Sequence, residues 1–223
     1  PTSCPFTTEG RSYFVRREVR AVERLGAVIL AAGLSSRMGE FKPLLPIGGV
    51  SMIRRVVDLM RSAGAETVVV TGYRHEALEA HLVGCGIRFV HNPDYRHTQM
   101  LDSLRLGLGA LPAGCGRFLL SPADVPLVRP RTVRALLALD APFVRPLYRG
   151  EPGHPVVFRA GLLPLIRSYS GSGGLGGLVE TCGVPVRELE VDDLGVCMDG
   201  DTREQYNALL RAYQAIQDGR CGA

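Results

Sequence analysis

Residues 27–32 read Ala-Val-Ile-Leu-Ala-Ala, an unbroken apolar run that ends at Gly33. Such a short run, bounded by glycine, is typical of a strand that is buried on both faces of a parallel sheet. Similar runs follow at residues 67–71, Thr-Val-Val-Val-Thr, and at residues 118–121, Phe-Leu-Leu-Ser. The three segments predict buried strands of a parallel sheet.

Helical patterns separate these predicted strands. Ser51 precedes an amphipathic segment that stops at Gly64, which predicts a capped helix with a glycine at its end. Further helices are predicted over residues 74–82, 101–111, 130–139 and 201–217, and further strands over residues 87–91, 143–148 and 156–158. Strands that alternate with helices of this length favour an α/β fold with helices on both faces of the sheet. Residues 170–177 are glycine-rich and are expected to be mobile.

The predicted domain covers residues 25–218. Residues 1–24 are polar and arginine-rich without a clean periodicity, so they are interpreted as an N-terminal extension or linker, and residues 219–223 as a tail. A chain of 223 residues is long enough to bury the core of one large α/β domain.

Composition and charge exclude several classes of protein. The net charge of +4 is spread along the chain without a dense basic block, so we expect no nucleic-acid partner. No run approaches 18 apolar residues, and the N-terminus has no apolar stretch of the signal-peptide type, so we expect no membrane association and a cytoplasmic protein. Arginine greatly outnumbers lysine, which suits phosphate recognition and equally suits a GC-rich genome.

The cysteines and histidines give no metal signature. None of the six cysteines has C-x-x-C spacing, and without an export signal they are expected to be reduced thiols. His75 and His81 are six residues apart, which puts them on different faces of the predicted helix around them.

The loop after the first strand has the features of a phosphate site. Ligands bind beyond the carboxyl ends of the strands in a parallel sheet. The small residues at the end of the first strand, the last of which is Gly33, allow the backbone to approach a ligand closely. Arg37 and Lys42 add two positive charges to this loop. The loop is neither a Walker motif nor a dinucleotide fingerprint. By spacing alone, an ordinary glycine-rich turn with surface basic residues explains it equally well.

This stretch resembles the leading motif, L-A-A-G-x-S-x-R-M-G-x-x-K, of the molybdenum cofactor cytidylyltransferases and their NTP transferase relatives. The resemblance continues at 70–74, 91–95, 122–126, 153–155 and 199–202, and it covers roughly residues 26–215. The sequence departs from the family pattern at Ala123, where glycine is common, at Arg203, where proline is common, and in the glycine-rich segment after Tyr169.

The resemblance implies a Rossmann-like, three-layer nucleotidyltransferase fold and a Mg²⁺-dependent reaction. CMP would move from CTP to the phosphate of molybdopterin cofactor, pyrophosphate would leave, and the product could be handed to a molybdenum hydroxylase. Asp124 and Asp201 are the implied Mg²⁺ ligands, with Asp199 as the competitor for the second place. The residues alone also allow Asp124 to be a turn residue and Asp201 to be a helix N-cap.

The resemblance also assigns the remaining site residues. Arg37, Lys42 and Asp124 are the implied catalytic residues, the two cations neutralising the α-phosphate and the departing pyrophosphate. The implied nucleotide-binding residues are Ala31, Ala32, Gly33, Arg37, Lys42, Thr71 and Ser103, and the implied acceptor-binding residues are Gly153, His154 and Pro155. Ser103 has the alternative role of a first-turn helix residue, and His154 that of a strand-edge histidine.

Three other functions remain open at this point. The first is a cytidylyl- or guanylyltransferase that acts on another acceptor, such as a sugar phosphate or phosphocholine. The second is a module that binds a nucleotide without transferring it, which the four residues Arg37, Lys42, Asp124 and Asp201 argue against. The third is an oxidoreductase, for which the sequence lacks a dinucleotide fingerprint.

Overall fold

A computed structural model describes residues 23–33 and 40–218. Residues 1–22, the loop 34–39 and residues 219–223 lie outside the described residues, and with them lie Arg37, most of the predicted N-terminal extension and the predicted tail.

The described strands and helices alternate along most of the chain. The strands are β1 (Arg24–Ala31), β2 (Pro46–Ile47), β3 (Val50–Ser51), β4 (Glu66–Thr71), β5 (Arg88–His91), β6 (Cys115–Pro122), β7 (Phe143–Tyr148), β8 (Glu151–Pro152), β9 (Val156–Arg159) and β10 (Val186–Glu190). The helices are α1 (Met52–Ser62), α2 (His75–His81), α3 (Met100–Ala110), α4 (Pro130–Ala138), α5 (Leu163–Ser168), α6 (Gly174–Thr181) and α7 (Arg203–Gln217).

One mostly parallel sheet organises the domain, which confirms the predicted α/β fold class. Its order is β10-β7-β9-β6-β1-β4-β5, with β8 paired to β7. The pairs β6-β1, β1-β4, β4-β5 and β10-β7 are parallel, whereas β9 runs antiparallel to both β6 and β7. The three apolar runs of the sequence analysis form β1, β4 and β6, which are adjacent in the sheet.

Both faces of the sheet are covered. Ala27 and Ile29 of β1 pack into a core that includes residues of α1 and α4, whereas Val28, between them, packs into a second core with α3, α5 and α6. Alternate residues of a strand point to opposite faces, so the unbroken apolar run of β1 is explained by a helical layer on each side.

Glycines let two helices take their positions. Gly64 follows α1 with a φ of +78°, a left-handed conformation that ends the helix as predicted, and Ser51 accepts a hydrogen bond from the Arg54 amide at the other end. Gly107 of α3 faces the sheet so closely that a Cβ there would lie 2.5 Å from Val28 Cγ1. This close approach brings the N-terminal end of α3 to the carboxyl ends of the strands.

The second half of the domain differs from the prediction in four places. α6 begins inside the glycine-rich segment that was expected to be mobile, because Leu175, Leu178 and Val179 have helical spacing and are buried. The strand β10 and the helix α5 were not predicted. The last helix is capped by Thr202, whose hydroxyl accepts from the Gln205 amide at 3.2 Å, so the alternative role of Asp201 as N-cap is wrong.

His75 and His81 stand at the two ends of α2 and contact different residues, and four cysteines lie in the described part of the chain. Four free cysteines are described, two of them buried and two exposed. His75 stacks near His91, and His81 shares a hydrogen bond of 2.7 Å with Ser51. In the described ranges, no helix combines the length and the apolar character needed to cross a membrane.

Candidate active site

A cleft of about 300 Å³ lies at the carboxyl ends of β1 and β6. It is lined by Leu30, Ala32, Gly33, Lys42, Tyr95, Thr98, Gln99, Met100, Ser103, Pro122, Asp124 and Asp201. Six of the residues selected from the sequence are thus brought together although up to 169 positions separate them. The pairing of β1 with β6 extends into the cleft, where the Ala123 amide donates to the Leu30 carbonyl at 3.0 Å.

Lys42 joins the two aspartates at one end of this cleft. Its ammonium donates to Asp124 Oδ2 at 3.0 Å and makes a second, shorter contact with Asp201 Oδ1. The Lys42 side chain is only 13% exposed. Burial by itself lowers the pKa of Lys42, but hydrogen bonds and charges from Asp201 and Asp124 outweigh it, and the net pKa is raised. Lys42 is therefore a permanently charged group at the end of the cleft.

Local structure fixes each member of this triad. Lys42 begins a short 3₁₀ helix over Lys42–Leu44, directly after Phe41, whose ring is buried in the core. Asp124 follows β6 in a turn whose first amide is held by Leu30. Asp201 immediately precedes the capping box of α7, which sets the direction in which the chain enters the helix.

The carboxylates around Lys42 suit a divalent cation. Asp199 lies close by, and its buried Oδ1 has no hydrogen-bond partner among the described residues. Burial raises the pKa of Asp199, and the charges of Asp124 and Asp201 raise it further. No group of three His, Cys, Asp or Glu side chains in the described ranges is arranged around a single metal position. Mg²⁺ needs only one or two carboxylates beside phosphate and water, so the pair Asp124 and Asp201 fits such an ion.

The opposite end of the cleft is formed by close packing of backbone. Ala32 is half-buried and lies against Gly72, where a Cβ would be 2.6 Å from the Ala32 carbonyl oxygen and 2.9 Å from Tyr95 Cβ. Gly72 was not selected from the sequence, although it stands within a quoted motif. Its missing side chain is what allows β1 and the 91–95 segment to meet at this point.

Two predicted nucleotide-binding residues point away from the cleft. The Thr71 side chain is fully buried, and its hydroxyl donates to Glu79 Oε1 at 2.8 Å. The Thr71 carbonyl is also occupied, by the amide of Asn92 at 2.8 Å. Ala31 is 3% exposed and belongs to the core. Neither residue lines the cleft, so their assignment as nucleotide-binding residues remains a prediction.

Ser103 does line the cleft, and a buried amide stands behind it. Asn92 Nδ2 donates to Ser103 Oγ at 3.1 Å and to Thr98 Oγ1 at 2.8 Å. Asn92 is 2% exposed and was not selected from the sequence. The available signal was its position directly after the strand β5, because polar residues at strand ends face the ligand edge of a parallel sheet.

The predicted acceptor residues form the connection from β8 to β9. The Gly153 amide donates to Pro146, and the His154 amide donates to Val196 at 2.8 Å. A Cβ on Gly153 would lie 2.5 Å from the Val196 carbonyl oxygen. His154 and Pro155 are joined by a cis peptide bond. The segment is therefore pressed directly against the backbone of residues 194–197.

His154 is held as a neutral imidazole. Burial lowers the pKa of His154, although the charge of Asp124 and a backbone hydrogen bond at Leu120 act in the opposite direction. Its Nδ1 is buried without a hydrogen-bond partner in the part of the chain that the structure describes. Gly153, His154 and Pro155 do not line the 300 Å³ cleft itself.

Asp193 supports the backbone behind the predicted acceptor residues and was missed in the sequence. Its side chain is almost fully buried, and Oδ2 accepts from the Arg129 amide at 2.9 Å and from the Thr132 hydroxyl at 2.6 Å. Oδ1 accepts from the Gly195 amide at 3.2 Å. A buried carboxylate with three donors fixes the 194–197 turn against the start of α4, and through Val196 it also fixes the His154 backbone.

Comparison with known proteins is consistent with this geometry. Residues 27–189 match the MobA-like NTP transferase domain. A bifunctional IPC transferase and DIPP synthase of Rubrobacter xylanophilus is 36% identical over 146 residues, which are 59% of this chain and 31% of that protein. The molybdenum cofactor cytidylyltransferase of Escherichia coli is 30% identical over 135 residues, which are 60% of this chain and 69% of that protein. The chain thus spans less than a third of the first of these relatives.

Solved structures share the whole fold. Rv0371c of Mycobacterium tuberculosis is 28% identical with a TM-score of 0.77, and the match covers 86% of this chain and 100% of that chain. A complex of the same protein with manganese is 27% identical with a TM-score of 0.72, over 85% of this chain and 99% of that one.

Proposed function

Because the chain belongs to the family of MobA-like NTP transferase domains and is a nucleotidyltransferase, we propose that it transfers CMP from CTP to the phosphate of molybdopterin cofactor. The observation that carries the proposal is the joining of Asp124, Asp201 and Lys42 at the end of the cleft. These groups offer both signs of charge at one point, which a triphosphate and its counter-ion require.

The reaction needs positioning and charge stabilisation. An oxygen of the acceptor phosphate attacks the α-phosphorus of CTP, the bond from that phosphorus to the bridging oxygen breaks, and pyrophosphate leaves with the electron pair. The protein provides no covalent nucleophile in this scheme. Lys42, and Arg37 from the loop outside the described residues, would neutralise the charge on the α-phosphate and on the departing pyrophosphate.

Asp124 and Asp201 are proposed to hold Mg²⁺ beside the phosphates. When bound, the ion would supply positive charge that neutralises part of the charge of the phosphates. The manganese complex of the similar mycobacterial protein supports a divalent ion in this fold. Asp201 is preferred to Asp199 as the second ligand, because Asp201 shares the Lys42 ammonium with Asp124.

The acceptor is proposed from the Escherichia coli relative, which is named as a molybdenum cofactor cytidylyltransferase. Gly153, His154 and Pro155 would face the pterin phosphate, and the product would pass to a molybdenum hydroxylase. One observation favours a second candidate, cytidylyl transfer to a different phosphorylated acceptor. The Rubrobacter relative, a bifunctional IPC transferase, has the higher identity of 36%.

A matrix of nucleotides and acceptors with pyrophosphate detection tests the proposal. CTP, GTP, ATP and UTP are each mixed with Mg²⁺ and with molybdopterin cofactor, a sugar phosphate or phosphocholine, and each nucleotide is also run without acceptor. We expect acceptor-dependent pyrophosphate from CTP and molybdopterin cofactor above every other pair. Release with another acceptor selects the second candidate, and binding of CTP without any release contradicts both.

A further inference from the structure

Asn92 is a buried residue whose side-chain amide is hydrogen-bonded through both its oxygen and its nitrogen. Its backbone amide donates to Thr71, and its side-chain Oδ1 accepts from the Asp94 amide at 3.1 Å. Its Nδ2 donates to Thr98 Oγ1 and to Ser103 Oγ, at 2.8 and 3.1 Å. The side chain therefore connects the end of β5 with the first turn of α3.

The orientation of this amide is fixed by its surroundings. A backbone N–H can only donate, so the group that faces the Asp94 amide must be the oxygen of Asn92. The nitrogen then faces the two hydroxyls, and its two hydrogens match them one to one. The flipped amide would set N–H against N–H and would lose this bond.

The fixed amide also keeps the protons of the two hydroxyls free. Both hydroxyls accept a hydrogen from Asn92 with one lone pair, and because the Asn92 NH₂ group cannot accept in return, the proton of each hydroxyl is left to donate elsewhere. Thr98 donates its proton to the Asp94 carbonyl at 3.1 Å. The proton of Ser103 has no protein acceptor among residues 23–33 and 40–218, and Ser103 lines the cleft. Ser103 thus presents a hydrogen-bond donor to whatever occupies the cleft beside it.

We propose that Asn92 is a positioning residue that sets the Ser103 hydroxyl as a donor to the nucleobase and so selects a base with an acceptor atom there. This rests on the proposed function to the extent that the cleft takes a nucleotide. Cytosine offers two adjacent acceptors, O2 and N3. At the matching positions guanine carries the donors N2–H₂ and N1–H, and its acceptor O6 lies where cytosine has its amino group. A hydroxyl whose proton is kept free for the base therefore favours CTP over GTP.

The test reverses the polarity of the hydroxyl without changing its position. In Asn92→Asp, one carboxylate oxygen still accepts from Asp94, but the other now accepts from Ser103, which turns the Ser103 proton away from the cleft. The CTP-to-GTP ratio of kcat/KM, measured with pyrophosphate detection, should fall about tenfold, as expected for one lost hydrogen bond with mispairing. Ser103→Ala should lower the ratio by a similar factor.

A double variant and a matched control separate this role from a structural one. Asn92→Asp combined with Ser103→Ala should lower the ratio no further than about twofold beyond either single variant, because both act through one proton. Ser62→Ala removes a serine hydroxyl that donates to the Leu59 carbonyl at 2.7 Å and does not line the cleft, so the ratio should stay within about twofold of the parent. If Asn92→Asp does not fold, Ser103→Ala against Ser62→Ala decides the question.

Nucleotide binding, measured by calorimetry on the same variants, separates failure of this inference from failure of the proposed function. A parent that binds CTP selectively but transfers nothing overturns the proposed function, and the binding ratio still tests Asn92. A parent whose selectivity survives Asn92→Asp and Ser103→Ala overturns the inference alone. A parent that binds neither nucleotide overturns both.

Discussion

The predicted nucleotide side and the predicted acceptor side of the site are built in different ways. The predicted nucleotide side lies at the ends of β1 and β5, which flank β4 in a group of three adjacent parallel strands in regular register. The predicted acceptor side is the connection before antiparallel β9, which a few close contacts hold against the turn 194–197. We therefore expect recognition of the nucleotide to come with the sheet itself. We expect the acceptor side, which depends on single contacts, to differ between relatives with different acceptors.

The largest expected effect is at the junction of the two sides. Asp124 follows β6 and contacts Lys42. Asp124→Asn removes the carboxylate charge that we propose for holding Mg²⁺ between the nucleotide and the acceptor. Transfer should fall by about 10³-fold or more, because a neutral amide is a poor Mg²⁺ ligand beside a polyphosphate. The rate of pyrophosphate release measures the transfer. Asp58→Asn, which affects only an exposed pair with Arg54, is the matched control. Activity of Asp124→Asn within tenfold of the parent would refute the assignment.

A variant of Lys42 tests whether the ammonium charge beside Asp124 and Asp201 acts on CTP binding or on the rate of the reaction. Lys42→Ala should lower turnover by ~10²–10³ and change CTP affinity much less, if the ammonium acts mainly on the transition state. Lys42 is the only lysine of the sequence, so no other ammonium side chain can replace it. Single-turnover kinetics and equilibrium CTP binding give the two quantities. A loss in affinity with unchanged turnover would reduce Lys42 to a binding residue.

The same division explains how far the sequence could predict the structure. The strands of the nucleotide side have local signals, because a strand buried on both faces is apolar along its whole length. Asp193 has no such signal, since its partners Arg129 and Thr132 lie more than 60 positions away. An acidic residue in an acidic stretch looks solvent-exposed until those donors are known.

The site itself was predicted through resemblance rather than through spacing. Lys42 and Asp201 are 159 positions apart, and only a motif with known partners could bring them together before the structure was known. Neither residue spacing nor the family resemblance predicted the proposed role of Asn92. It depends on which atom of Asp94 faces the amide, and that is a property of the folded loop.

The acceptor side should respond to a single methyl group. In Gly153→Ala, the new Cβ would meet the Val196 carbonyl at 2.5 Å, so the backbone of 153–155 must move. We expect KM for the acceptor to rise about tenfold and the free energy of unfolding to fall by about 1–3 kcal/mol, with CTP binding nearly unchanged. Initial rates at varied acceptor concentration and thermal unfolding measure this.

Gly161→Ala is the matched control for that experiment. A Cβ on Gly161 meets nothing within 4 Å, so this variant should behave like the parent. If Gly153→Ala weakens CTP binding as much as acceptor binding, the predicted nucleotide side and the predicted acceptor side are not independent. The distinction drawn between them would then be wrong.

The smallest expected effect concerns Ala32, where the predicted nucleotide side would contact the nucleobase. Ala32 lines the cleft and is backed by Gly72, so its backbone has no room to retreat from a ligand. The resemblance to the NTP transferases implies Leu-Ala-Gly-Gly in members that use GTP, where this chain has Leu-Ala-Ala-Gly at residues 30–33. By that resemblance the methyl group of Ala32 has no counterpart in the members that use GTP, and we expect it to crowd a two-ring base while still packing against a pyrimidine.

One methyl group discriminates only to a limited extent, about 1–3 kcal/mol or ~10–200-fold. We therefore expect the parent to prefer CTP over GTP by at least about tenfold, and Ala32→Gly to narrow that gap by a similar factor. The two nucleotides should compete in one reaction with molybdopterin cofactor, so that the product ratio gives the ratio of kcat/KM directly. Thermal unfolding of the variant checks that the added glycine has not loosened β1. Equal use of both nucleotides by the parent, or a ratio that Ala32→Gly leaves untouched, would show that the methyl group does not select the base, and the donor at Ser103 would have to account for any preference that remains.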